Sequence, residues 1–261
     1  MITVLESACG IDVHSKMLMA TIVYKQNGVQ KKITKEFPNF NLHFETLETW
    51  LKKHEVGKVV LESTSIYWMQ IYDYLSSRGL KVELVNAFHV KKVPGRKTDV
   101  SDSEWLAELC LHGLLKASFV PSANIRSLRL LTRYRVKLSR VLAAEKNRMG
   151  KVLDSCGMRL SAVMSRIDCV SGMKMVKALA EGKLSEEEII SLASGSLKKK
   201  DKEFKMALSG NLTERHRFLL REIQCHMEFL LGQLEKLDKK IFSSMGPYKK
   251  KMGTFTDNSR H

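Results

Sequence analysis

An α/β sheet domain followed by an all-α region is the architecture this sequence predicts, on three observations. Up to Val85, short apolar runs of strand length alternate with amphipathic stretches. Beyond Pro121 the strand signal ends and helical periodicity takes over. The charge shifts at the same boundary: residues 1–112 hold 14 Lys and Arg against 13 Asp and Glu, whereas residues 113–180 hold 14 against 3. A balanced sheet domain and a basic helical region present different surfaces to different partners.

Cys9–Val13 reads as the end of a first strand, with Asp12 at its tip. Met17–Tyr24 is an apolar run of strand length, Asn27-Gly28 is a hairpin turn signal, and Gln30–Phe37 follows as a third strand. Pro38 and Asn39 break this meander. Asn41–His54 places Leu42, Phe44, Leu47, Trp50 and Leu51 at near-helical spacing, and Gly57 closes it. Lys58–Glu62 is a short strand ending on a carboxylate; Ser65–Arg78 is a helix with Gly79 as its C′ residue; Lys81–Val85 is a further strand. A three-strand meander followed by βαβ units is the order of an RNase H-like fold. In such sheets strand ends cluster along one edge, where Asp12 and Glu62 are expected to meet. The segment Gly95–Glu104 then enters a helical run, Trp105–Leu115. If it is helical from Val100, Asp99 and Asp102 share a face about 5–6 Å apart. Two carboxylates that close repel each other unless a cation lies between them.

The first domain is thus expected over residues 1–120 and a basic helical region over 121–245. Ile125–Cys156 and Thr213–Phe242 are long, proline-free and heptad-patterned, with shorter helices between them at Leu160–Ile167, Met173–Glu181 (N-cap Ser171), Ser185–Leu192 and Leu197–Leu208. Two such heptad helices pair either within one chain or between chains, and periodicity does not choose. Residues 246–261 have no periodicity and are expected to be disordered.

Composition narrows the chemistry. The five cysteines are scattered and form no C-x-x-C pair, which argues against a zinc site or disulfide framework and for buried thiols in a reducing cytoplasm. No stretch supplies the roughly 18–20 apolar residues of a membrane span. A net charge of +16 suits a polyanionic partner. Carboxylates without accompanying Cys or His favour Mg²⁺ or Mn²⁺, and such ions align the attacking and leaving oxygens of a phosphodiester. Arg96 and Lys97 stand beside the carboxylates, and Arg126, Arg129, Arg133, Arg140 and Arg148 recur along the first long helix as candidate phosphate contacts. Tyr67 and Trp68 read as either base-stacking or core residues, and His14 as a structural residue or a proton-transfer group.

Gly10–Lys16, Leu61–Tyr67 and Lys97–Ala107 resemble, in that order, the three blocks of the DEDD transposases of bridge-RNA-guided insertion sequences, among which are the Piv-type DNA invertases. The similarity continues through Leu114–Pro121, Arg126–Tyr134 and Asn147-Arg148, and the third block is its most specific part. The resemblance implies a RuvC-like (RNase H-like) catalytic domain followed by a coiled-coil region. Asp12, Glu62, Asp99 and Asp102 would be the catalytic and metal-binding quartet, with Mg²⁺ or Mn²⁺ as cofactor. The helical region would bind double-stranded DNA and a structured guide RNA, and pair protomers into a homo-oligomer. Members of the family also resemble one another in a further C-terminal domain, with a Ser-Ala-Gly-type motif whose serine attacks DNA. No such motif occurs before His261. The expectation is a truncated transposase that lacks the strand-transfer serine and is incomplete as a catalyst on its own. Two rivals follow: a catalytically inactive RNA- or DNA-binding remnant that regulates a full-length transposase, and a sugar-kinase or actin-like ATPase. The second needs glycine-rich phosphate loops, which the sequence around Asp12 does not supply.

Overall fold

In a computed structural model, which describes residues 4–63, 65–91 and 101–246, the chain divides into two compact units, Met1–Pro121 and Ser122–His261. Strands β1 (Ser7–Val13), β2 (Met17–Gln26) and β3 (Val29–Pro38) form the expected antiparallel meander. Asn27 and Gly28 turn β2 into β3 with φ of 52° and 77°. Both angles are positive, as a type I′ hairpin requires, and Asn and Gly are the residues that tolerate them. A 3₁₀ turn at Asn41–His43 leads into α1 (Phe44–Lys53), followed by β4 (Val59–Glu62), α2 (Trp68–Ser77), β5 (Val82–Val85), α3 (Ala87–Lys91) and α4 (Asp102–Leu111).

The strand order is β3-β2-β1-β4-β5. β1 pairs antiparallel with β2 and parallel with β4, which pairs parallel with β5. A meander on one side and parallel crossovers on the other is the RNase H-like topology. The period-two alternation of strand side chains sends residues to two helical layers. Cys9, Ile11, Val13, Val59 and Leu61 point to the face covered by Phe44, Leu47 and Leu51 of α1 and Ile71 and Leu75 of α2. Ala8, Val23, Val60 and Val85 point to the opposite face, covered by Trp105, Leu106, Leu109 and Cys110 of α4. Burial also explains the thiols: Cys9 is pushed well above its ordinary pKa and Cys110 to about 11. Neither supplies a thiolate near neutrality. Cys225, expected to be buried, is exposed.

Two helix starts of this unit differ from the sequence reading. α2 starts at Trp68 rather than Ser65, whose φ of 59° lies outside the helical region. α4 starts at Asp102 rather than Val100, because Ser101 is extended and its side chain caps the helix by accepting from the Glu104 amide at 3.3 Å. Asp99, Arg96 and Lys97 lie outside the described residues, as does the tail expected to be disordered, Gly246 excepted.

The second unit is helical: α5 (Ala123–Ser155), α6 (Leu160–Val163), α7 (Val170–Glu181), α8 (Glu186–Ser191), α9 (Asp201–Leu208) and α10 (Glu214–Ser244). Cys169, not Ser171, caps α7, while Ser171 is buried and bonded to Ser194. α5 and α10 pair within the chain. Arg135 meets Asp238, and Glu145 meets His226 at 3.1 Å, so residue numbers fall on one helix as they rise on the other. The pair is antiparallel. Its shared core runs through Leu142, Met149 and Leu153 on α5 and Leu220, Ile223, Met227, Leu230 and Leu234 on α10, with the short helices packed around it. No residue of α5 before Leu142 is buried.

An ion cluster ties α5 to the loop before α7. Arg166 and Lys146 both reach the Asp168 carboxylate, at 2.9 and 2.5 Å, and hold it well below the usual carboxylate range. A depressed folded pKa adds stability above the unfolded value, about 3.9, and loses it as the pH falls toward the folded one. Asp168→Asn is thus expected to lower the melting temperature near neutral pH and to converge with the wild type in strong acid. Melts across that range check it.

Candidate metal centre

Asp12 and Glu62 are brought together by strand register. Ile11 pairs with Leu61 across the parallel β1–β4 ladder, so the next position on each strand sets Asp12 beside Glu62. Parity places both on the α4 face, since Asp12 is in phase with Ala8 and Glu62 with Val60. Glu62 is buried at 8% exposure. His14, in the β1–β2 turn, puts Nε2 3.0 Å from Asp12 Oδ2. That turn is pinned from the end of β3, where the Asn39 side chain donates to the His14 carbonyl at 2.7 Å and the Asn39 amide donates to the Lys16 carbonyl at 3.0 Å.

α4 delivers Asp102 to the same end of the sheet. Lys32 on β3 reaches Glu104 at 2.5 Å, and Gln30 reaches Glu108 at 3.4 Å. The amides of Val4 and Leu5, just before β1, donate to the Leu111 carbonyl. α4 therefore runs antiparallel to β1, and its first residue lies toward the strand ends that carry Asp12 and Glu62. The helix sits on Gly10. A Cβ there would lie 2.5 Å from the Ala107 amide nitrogen and 2.7 Å from Leu106 Cβ, with the Ser103 carbonyl closer still. Only glycine permits that approach. Gly10→Ala is expected to cost the sheet domain about 1–3 kcal/mol or more through overpacking against backbone, visible as a melting temperature lower by several degrees or by failure to fold.

The donors suit a hard cation. Mg²⁺ is held by one or two carboxylates, keeping water and substrate phosphates as its other ligands, and adjacent Asp12 and Glu62 meet that minimum. Among the described residues no group of three acidic, His or Cys side chains is gathered as a metal cluster. Trp68 is buried edge-on to Tyr72, with ring centroids 5.8 Å apart, which leaves Tyr67 as the exposed aromatic of that pair. Sequence reasoning favoured a structural role for His14 and gave no sign of its reach to Asp12, which requires the fold of the turn.

The arginines of α5 follow one side of a helix. At 100° per residue Arg126, Arg129, Arg133 and Arg140, with Lys137, fall within an arc of about 80°, opposite the arc of Leu142, Met149 and Leu153. Arg129, Arg133 and Arg140 are exposed, and Arg148 pairs with the buried Glu145 on its own helix. No described helix is long and apolar enough to cross a membrane.

A family model of IS110-type DEDD transposases, described as transposase, matches residues 9–158. No curated protein matches the chain. Among solved structures, T. thermophilus RuvC in complex with a Holliday junction substrate is 12% identical, over 44% of this chain and all of that one, at a TM-score of 0.30. An Aquifex aeolicus member of the Ppx/GppA family is 11% identical, over 91% of this chain and 90% of that one, at a TM-score of 0.24. The fold assignment rests on the strand order.

Proposed function

The chain belongs to the IS110-type DEDD transposase family, and from that premise we propose that it is a metal-dependent recombinase acting on DNA phosphodiesters. Asp12 and Glu62, with Asp102 and Asp99, hold Mg²⁺ or Mn²⁺. The observation that carries the reading is that Asp12 and Glu62 stand side by side on the sheet face that α4 covers, with the first residue of α4 toward the same end. When bound, the metal activates the attacking oxygen and neutralises charge on the leaving one. The protein's own part is to fix the ligands. β1 and β4 set the spacing of Asp12 and Glu62, His14 holds one oxygen of Asp12 and so fixes the orientation of that carboxylate, and the positive N-terminal end of α4 would favour a phosphate bound there.

The helical unit supplies the nucleic-acid surface. Arg126, Arg129, Arg133, Arg140 and Arg148 span about 33 Å of helix, close to one turn of B-DNA. They contact the phosphates of duplex DNA and of a structured guide RNA, and Arg96 and Lys97, just before Asp99 in the sequence, are assigned the same role. The part of α5 before Leu142, where no residue is buried, pairs protomers. Calorimetric titration of the chain with Mn²⁺ tests the metal reading: binding is expected for the wild type and its loss for Asp12→Asn. A wild type that takes up no Mn²⁺ leaves a nucleic-acid binder without a catalytic centre.

A further inference from the structure

We infer that Thr21 and Ser103 are positioning residues for the carboxylate centre, locking the axial register of α4 and with it the place of Asp102. The inference rests on the metal-dependent reading above. Thr21 lies on β2 directly opposite Gly10, and Thr34 lies opposite Thr21 on β3. Thr34 Oγ1 is 3.0 Å from Thr21 Oγ1, Thr21 Oγ1 is 2.8 Å from Ser103 Oγ, and Ser103 Oγ is 3.4 Å from Ser101 Oγ. Ser101 in turn caps α4. A line of hydroxyls thus runs from the edge strand, across the sheet, into the cap of the helix whose first residue is Asp102.

Stability does not explain this line. Thr21 and Ser103 are fully buried, at 0% and 1% exposure, beneath a layer otherwise made of Ala8, Val23, Val60 and Leu106. Apolar groups of matched shape would fill the same space at nearly equal free energy. What they would not supply is direction. α4 crosses β1 at Gly10, where no side chain stands up to interlock with it. On so smooth a surface, apolar contacts alone let a helix slide along its axis. Of the other polar ties of α4, Lys32 to Glu104 and Gln30 to Glu108 are at the surface, where such contacts hold weakly, the Val4 and Leu5 amides hold its far end at the Leu111 carbonyl, and Trp105 Nε1 donates to the Val90 carbonyl at a long 3.5 Å. The Thr21–Ser103 bond is satisfied at one axial setting only. A slip of one residue is about 1.5 Å, well outside the roughly 0.5 Å within which a metal constellation must be held.

The experiment compares Mn²⁺ affinity and thermal melting in the full chain for the wild type, Thr21→Val and Thr21→Ser. Thr21→Val keeps the shape and removes the hydroxyl. It is expected to melt within a few degrees of the wild type and to bind Mn²⁺ about tenfold or more weakly, the size of effect usual for residues behind a metal ligand. Thr21→Ser keeps the hydroxyl and is expected to restore the affinity. A folded Thr21→Val with wild-type affinity overturns the inference, and so does a Thr21→Ser that binds as poorly as Thr21→Val. Should Thr21→Val fail to fold, Ser103→Ala, which leaves the Thr21–Thr34 bond intact, carries the same expectations. A wild type that binds no Mn²⁺ overturns the metal reading itself, a result separate from either of these.

Discussion

Glu62→Gln is expected to abolish Mg²⁺-dependent strand cleavage, lowering its rate about a thousandfold, or on the order of 4 kcal/mol of transition-state stabilisation. The substitution keeps the volume and hydrogen-bonding outline of a side chain buried at the end of β4, so β4 and its pairing with β1 and β5 should survive. What it removes is half the negative charge of the Asp12–Glu62 pair. An amide is a weak ligand for Mg²⁺, and the pair set side by side by the β1–β4 ladder is left with a single carboxylate. Nucleic-acid binding should be unaffected, because the contacts proposed for it are the arginines of the helical unit. Gel assays of cleavage in Mg²⁺ and in EDTA, run beside equilibrium binding of the same duplex, separate the two effects. Binding lost together with cleavage would place the DNA on the carboxylate face instead, and cleavage that persists in Glu62→Gln would remove Glu62 from the centre.

Replacing Arg126, Arg129, Arg133 and Arg140 together by Gln is expected to weaken DNA and RNA binding by at least about tenfold at physiological salt. It should also flatten the dependence of log affinity on log salt by about three to four units. Each arginine that neutralises a phosphate releases a condensed counterion, so the slope counts contacts and the mean affinity does not. These four project away from the α10-facing side of α5, and the core through Leu142, Met149 and Leu153 should be untouched. Arg148 is left in place because it also pairs with Glu145. Loss of affinity should be uniform across sequences, since phosphate contacts position a duplex without reading it. An unchanged salt slope would show that this stripe is only a solvated helix face.

The sheet domain was legible because its signals are local and agree with one another. Asn27-Gly28 can make only a tight hairpin between two strand-length runs, and the alternation of β4, α2 and β5 leaves few topologies open. Asp12 and Glu62 could be paired in advance because both sit at strand ends, which a parallel ladder brings to one edge. The start of α4 was misread by two residues, although Ser101 and Glu104 carry the Ser-x-x-Glu spacing of an N-cap and could have corrected it. The partnership of Thr21, Thr34 and Ser103 has no such local sign. It depends on strand register and on where a helix from a distant part of the chain comes to rest, and hydroxyl residues are too common for spacing to single them out. In the helical unit the heptads marked α5 and α10 as partners, but choosing the same chain over a second one took the Arg135–Asp238 and Glu145–His226 pairs.

The opposed running of α5 and α10 also governs traffic of the polypeptide. Because one helix goes out and the other comes back, the entrance to the helical unit at Ser122 and its exit near Met245 stand at the same end. The unit is a detour that begins and finishes on one doorstep. Lengthening or shortening both arms by equal whole turns would alter its reach while leaving the spacing of that doorstep unchanged.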